Sequence, residues 1–243
     1  MKTVKFANPK YVGDPINAVK IFNEKEVDEL IVLNIDVSVQ NSEPDYGLIE
    51  KLAVECRMPL CYGGGVKTVE QVEKIISLGV EKVAISSAVF KNPHLIEQVA
   101  DVVGSQSIVV VADVKRTERD GKYEIWTHNA TRPTGRSPVE FAQQAESFGA
   151  GEVVMNSIDN DGVMKGYDFE LIGNIRESVN LPITALGGAG ELQDIEKLIK
   201  RFGIIGAAAG SLFVFKGKFR AVLISYPNRT QKDALIARAN RAD

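Results

Sequence analysis

Cysteine, histidine and tryptophan are scarce in this chain: two, two and one in 243 residues. Cys56 and Cys61 have no histidine cluster to join, so neither a metal site nor a disulfide framework is expected, and both read as small buried residues. His94 and His128 stand alone and read as surface histidines. No apolar run exceeds strand length, which leaves no membrane span and no signal-peptide core, so a cytoplasmic protein is expected. Neither charge is in surplus. Lys and Arg number 29 against 32 Asp and Glu, mixed along the chain, which argues against nucleic acid or a membrane surface as partner. No cofactor is expected.

What the chain does have is apolar residues, 44% of the total, enough for a large core in one (β/α) barrel spanning 1–243. Short β-branched runs alternate with segments of helical period. Strands are expected at Leu30 to Ile35, Pro59 to Tyr62, Val83 to Ile85, Ile108 to Arg116, Glu152 to Asn156, Pro182 to Leu186 and Ile204 to Ala209. Helices fall between them, one opening at Pro15 behind Asp14 as its cap. A polar excursion from Thr117 to Arg136 reads as a long functional loop with room for a hairpin.

The stretch I-V-V-V-A-D-V-K-R, Ile108 to Arg116, organises the rest. It reads as a buried parallel strand that presents Asp113 at its carboxyl end, where α/β proteins do their chemistry. Taken by itself it serves equally well as an Asp that caps the next turn.

A shift of 123 residues maps Pro15 on Pro138, Glu29 on Glu152, Asp36 on Asp159, Pro59 on Pro182 and Gly64-Gly65 on Gly187-Gly188; with one more residue, Ser87 falls on Ser211. Two half-barrels, roughly 1–105 and 106–215, with a tail at 216–243, are therefore expected. Shifted back, the Asp113 strand falls before Met1. Seven strands rather than eight are expected, the first lying about one strand and turn upstream or replaced by another segment.

Gly64-Gly65 before a helix and Ser86-Ser87 after the next strand form one candidate phosphate site, repeated by Gly187-Gly188 and Gly210-Ser211. Glycines let backbone N–H groups approach an anion, and hydroxyls complete the cradle. The alternative is that they merely turn the chain. Two sites related by a repeat imply a long substrate with a phosphate at each end.

These residues, with Tyr62 to Gly65, Ala112 to Arg116, Asn156 to Gly162, Gly187 to Gly190 and Ala208 to Phe213, resemble the HisF family, the cyclase subunit of imidazole glycerol phosphate synthase. The resemblance runs from about Lys2 to Phe215. It implies a (β/α)8 barrel paired as a heterodimer with a glutaminase subunit. The ammonia released there would convert a two-phosphate ribulosyl aminoimidazole carboxamide nucleotide into imidazole glycerol phosphate and aminoimidazole carboxamide ribotide. Asp113 then matches the general acid/base, and Asp161 an acidic residue near the substrate. Gly64, Gly65, Ser86, Ser87, Gly187, Gly188, Gly210 and Ser211 match the phosphate sites, and Lys2 a lysine of the first loop. Glu29, Lys82 and Glu152 match three members of a charged ring that admits ammonia at the amino-terminal face. A second catalytic Asp and the ring's Arg belong to the first strand.

Departures from the family pattern are Asn34, Asn160, Val163 and Leu186. Cys61-Tyr62 and the tail at Gly217 to Pro227 look more like the HisF-type paralogue found with surface-polysaccharide genes, where a HisF-like barrel feeds ammonia to a sugar amidotransferase. Three functions stay open: cyclase, ammonia-conducting partner subunit, and inactive truncated barrel.

Overall fold

The computed structural model describes residues 1–241, so the last two positions of the expected tail lie outside the described residues. The chain opens with an antiparallel hairpin, β1 (Lys2–Val4) and β2 (Ala7–Lys10). After it comes α1 (Pro15–Glu24), where the Asp14 carboxylate accepts the Asn17 N–H and Pro15 supplies the first turn. Next stand β3 (Leu30–Leu33), α2 (Asp36–Gln40), α3 (Tyr46–Glu55), β4 (Leu60–Gly63), α4 (Val69–Ser77), β5 (Lys82–Ile85), α5 (Ser87–Lys91) and α6 (Leu95–Val103). The longest strand, β6 (Ile108–Arg116), continues past the sheet. From Asp113 to Arg116 it also pairs antiparallel with β7 (Tyr123–Thr127), which with β8 (Arg132–Pro133) makes the hairpin expected in the long loop.

Alternation then resumes through α7 (Pro138–Ser147), β9 (Glu152–Ser157), α8 (Phe169–Arg176), β10 (Ile183–Leu186), α9 (Leu192–Phe202) and β11 (Gly206–Ala207). A short α10 (Ser211–Val214), a second hairpin of β12 (Phe215–Lys216) and β13 (Ala221–Val222), and α11 (Arg229–Ala239) follow. The last barrel strand is shorter than expected. Only Gly206 and Ala207 pair, and Ile204, expected in the strand, is 94% exposed.

The parallel strands run in the order β11-β10-β9-β6-β5-β4-β3, a curled sheet of the (β/α) barrel type with seven parallel strands, the number counted from the sequence. In β6, Ile108, Val110 and Ala112 join the main core, while Val109 and Val111 join a second cluster with Cys61, Ala84 and Val154. Such period-two burial on both faces is why the strand reads as a continuous apolar run.

The repeat survives as register. β3 pairs with β4 as Leu30 with Leu60 through Leu33 with Gly63; β9 pairs with β10 as Val153 with Ile183 through Asn156 with Leu186, every residue shifted by 123. The helix starts obey the same shift, Pro15 with Pro138 and Tyr46 with Phe169. Asp45 and Asp168, also in register, each accept the N–H three residues on.

Between β3 and β11 the sheet is open among the described residues. Two devices bridge this seam. At its lower end the tail crosses from α10 to α11, and the Tyr226 hydroxyl and Lys232 amine both reach Asp28, just before β3, the first at 2.7 Å. α11 holds α9 through Arg238 and Glu196 at 2.8 Å and buries Leu235. At the upper end the two hairpins lie together, with the Lys10 amine donating to the Arg220 carbonyl.

Candidate active site

Asp113 lines a cavity of about 670 Å³ that also takes in Gly64, Gly65, Ser86, Ser87 and Gly210. β6, which carries it, lies between the β4–β5 pair and the β10–β11 pair, so the carboxylate stands between the two glycine sites. Asn156, its register partner on β9, donates from Nδ2 to Oδ1 at 2.8 Å. Burial pushes the carboxyl up to about 6 against the opposing effect of the Asn156 hydrogen bond, and the Asp161 charge adds to the rise. A carboxyl in that range exchanges protons near neutrality. The Asn156 Oδ1 is buried without a partner among the described residues, an acceptor left over beside the Asp113 carboxyl.

The two glycine sites are built alike. Gly64 has φ +132° and Gly187 φ +93°, conformations that side chains disfavour. A Cβ on Gly64 would stand 2.5 Å from the Asn34 carbonyl oxygen, and one on Gly187 2.6 Å from that of Ser157. Asn34 and Ser157 are themselves related by the shift of 123, so the same close approach is made twice. Neither Gly65 nor Gly188 gives its N–H to a backbone carbonyl among the described residues outside helices and strands. Ser87 sits beside the first, its hydroxyl 3.5 Å from Ser38. Buried Ser211 sits beside the second, in a small pocket with Lys2, Asp161, Gly188 and Gly210. There Lys2 reaches Asp161 at 2.7 Å, and the Lys5 N–H bonds the Asp161 carbonyl.

At the opposite ends of the strands, Lys82 bridges Glu29 at 3.0 Å and Glu152 at 2.9 Å. Burial disfavours the ammonium, but its hydrogen bonds to Glu152 and Glu29 outweigh that and hold it protonated above its ordinary value. The Thr184 hydroxyl donates to Glu152 at 2.7 Å. Glu29, Glu152 and Thr184 line the same cavity as Asp113, which also takes in Leu30, Ile31, Tyr226 and Leu235 along the seam.

The family described as histidine biosynthesis protein matches residues 1–220. A Vibrio vulnificus (strain YJ016) protein provisionally named imidazole glycerol phosphate synthase subunit hisF3 is 58% identical over 232 residues, 96% of this chain and 89% of its own. One of Leptospira interrogans, provisionally named subunit HisF, is 54% identical, covering 97% of this chain and 93% of its own. The imidazole glycerol phosphate synthase subunit HisF of Petrotoga mobilis (strain DSM 10674 / SJ95) is 38% identical, over 88% of this chain and 84% of its own. The chain belongs to the HisF family.

In this HisF-family barrel every candidate site residue from the sequence lies in one of two clusters. The mouth gathers Asp113, Asp161, Lys2, Gly64, Gly65, Ser86, Ser87, Gly187, Gly188, Gly210 and Ser211; the amino-terminal face gathers Glu29, Lys82 and Glu152. His128, carried by the turn after β7, is partly exposed and lines the cavity. Burial, then the Arg132 and Lys91 charges, hold it below its ordinary value. Asn156 and Thr184 were not singled out for these contacts. An amide or a hydroxyl carries no signature of its own, and only the parallel register puts each beside its acid.

Proposed function

We propose that the chain is the synthase subunit of an imidazole glycerol phosphate synthase-type enzyme. It takes ammonia from a glutaminase subunit and uses it on a ribulosyl aminoimidazole carboxamide nucleotide with a phosphate at each end, yielding imidazole glycerol phosphate and aminoimidazole carboxamide ribotide. One observation carries the reading: a single carboxyl raised to about 6 lines the cavity that holds the first glycine cradle, and the matched second cradle adjoins that cavity at Lys2, Asp161 and Gly210. The cradles suit the two phosphates. Asp113 suits the proton traffic, accepting from the attacking ammonia and returning the proton to the leaving nitrogen, while the unpartnered Asn156 Oδ1 accepts an N–H of the incoming nitrogen. Ammonia released at the amino-terminal face passes Glu29, Lys82 and Glu152 and crosses the interior of Cys61, Ala84, Val111 and Val154 as the neutral molecule, since apolar walls disfavour ammonium.

The test is to supply the 243-residue chain with the two-phosphate nucleotide and ammonium chloride at pH 8, without a glutaminase, and to follow imidazole glycerol phosphate by mass spectrometry. Ammonium-driven turnover that Asp113→Asn lowers by roughly a hundred- to ten-thousand-fold is expected. No product from the unaltered chain would sink the cyclase reading.

One observation favours a second reading, the ammonia-conducting partner of a sugar amidotransferase. Of the two carboxylates that line the cavity at its mouth, Asp161 is engaged by Lys2, which leaves Asp113 without a second free acid to share the chemistry. On that reading, the assay gives no product, yet the barrel still stimulates its glutaminase.

A further inference from the structure

The second anion site has a feature that the repeat did not foretell. Arg220, on the β12–β13 hairpin, turns its guanidinium back over α10: Nη2 donates to the Ser211 hydroxyl at 3.3 Å and Nη1 to the Gly162 carbonyl at 3.0 Å. Its plane lies 4.7 Å from the ring of Phe215, which is 3% exposed. The Lys10 amine holds the Arg220 carbonyl from the other hairpin, so the backbone is pinned as well. Despite this fixing, the guanidinium meets only neutral oxygens, with no carboxylate in an ion pair with it among the described residues. A guanidinium finds its strong partners in carboxylate or phosphate, bound as a planar fork.

We propose that Arg220 is a phosphate-binding residue of the second site, gripping the phosphate end of the substrate that Gly188 and Ser211 cradle. The inference rests on the reading of that cradle as a phosphate site and adds the group that sets its affinity. The pocket between Lys2, Gly188 and Ser211 is narrow, about 10 Å³, so an arriving phosphate replaces contacts more than it fills a void. It takes the Ser211 hydroxyl from Arg220, exchanging that neutral contact for a charge-assisted one, and shares the Lys2 amine with Asp161. Two cations, one from each hairpin, then bracket one end of the ligand. Among the described residues no arginine lines the Gly64–Ser87 end, so the two ends differ in strength although the backbone beneath them repeats.

The experiment titrates the 243-residue chain with inorganic phosphate by calorimetry in phosphate-free buffer, and soaks crystals with it to read each site separately. Arg220→Gln keeps a side chain able to bond Gly162 and Ser211 but removes the charge; it is expected to weaken phosphate at Gly188–Ser211 at least tenfold and to leave Gly65–Ser87 as it was. Arg220→Lys keeps the charge without the fork and is expected to fall between the two, which preserves the test if the glutamine variant fails to fold. Phosphate bound at Gly188–Ser211 equally well in all three proteins overturns the role of Arg220 while leaving the cradle reading in place. No phosphate at Gly188–Ser211 in the unaltered chain overturns both.

Discussion

Asp113 carries a cost that can be measured apart from catalysis. Its folded carboxyl sits at about 6, whereas an unfolded Asp titrates near 3.9, so the ionised form is disfavoured in the fold. Below about pH 4 both states are protonated and the penalty is absent; it grows through the interval and is complete above pH 6. Asp113→Asn, which keeps the oxygen that Asn156 bonds, should therefore raise the melting temperature at pH 8, by the equivalent of up to about 3 kcal/mol, and leave it unchanged at pH 4. An equal shift at both pH values would show that burial is not what raises the carboxyl. Gly187→Ala tests the other residue-scale claim. Its Cβ would meet the Ser157 carbonyl oxygen at 2.6 Å and the Asn156 Oδ1 at 3.0 Å, at φ +93°. A loss of about 2–4 kcal/mol in urea melts is expected from strain and clash together. Asp113 and the glycines were legible because strand end and turn chemistry mark them, whereas Asn156 and Arg220 act through partners 43 and 9 residues away.

At the scale of elements, the repeat was legible because each half repeats the whole chain of causes: caps, strand lengths and glycine turns recur in order, and the register follows from them. The β12–β13 hairpin and the tail have no counterpart in the other half and no apolar stripe strong enough to announce them, whereas β1–β2 is matched, at the same shift of 123, by β7–β8. α11 buries only Leu235 and Ala239, yet it joins α9 to Asp28 beside β3. Leu235→Asp puts a charge against that contact. It should lower the melting temperature by several degrees and speed amide exchange in β3 and β11, with β6 unaffected. Uniform exchange across all strands would show that the tail is no clasp.

Among the described residues the parallel sheet ends in two edge strands, β3 and β11, that do not pair with each other, and the charge of −3 is too small to keep copies apart by repulsion. Concentration-dependent self-association is expected in sedimentation experiments, relieved when Leu33 on the edge strand β3, 36% exposed, is replaced by Lys. A monomer at every concentration would mean that the tail and hairpins cover the edges fully. By itself the sequence determined the seven-strand (β/α) plan, the half-barrel repeat, the acid on β6 and the paired glycine turns, because period, turn chemistry and spacing are local properties of the chain; Glu29, Lys82 and Glu152 were pointed to only by the family resemblance. Only the tertiary structure decided that Asn156 orients Asp113, that Thr184 supports Glu152, that Arg220 overhangs Ser211 and that α11 straps the seam. Each of these depends on which strands lie side by side and how far the sheet curls, and that is set by the packing of all the helices at once.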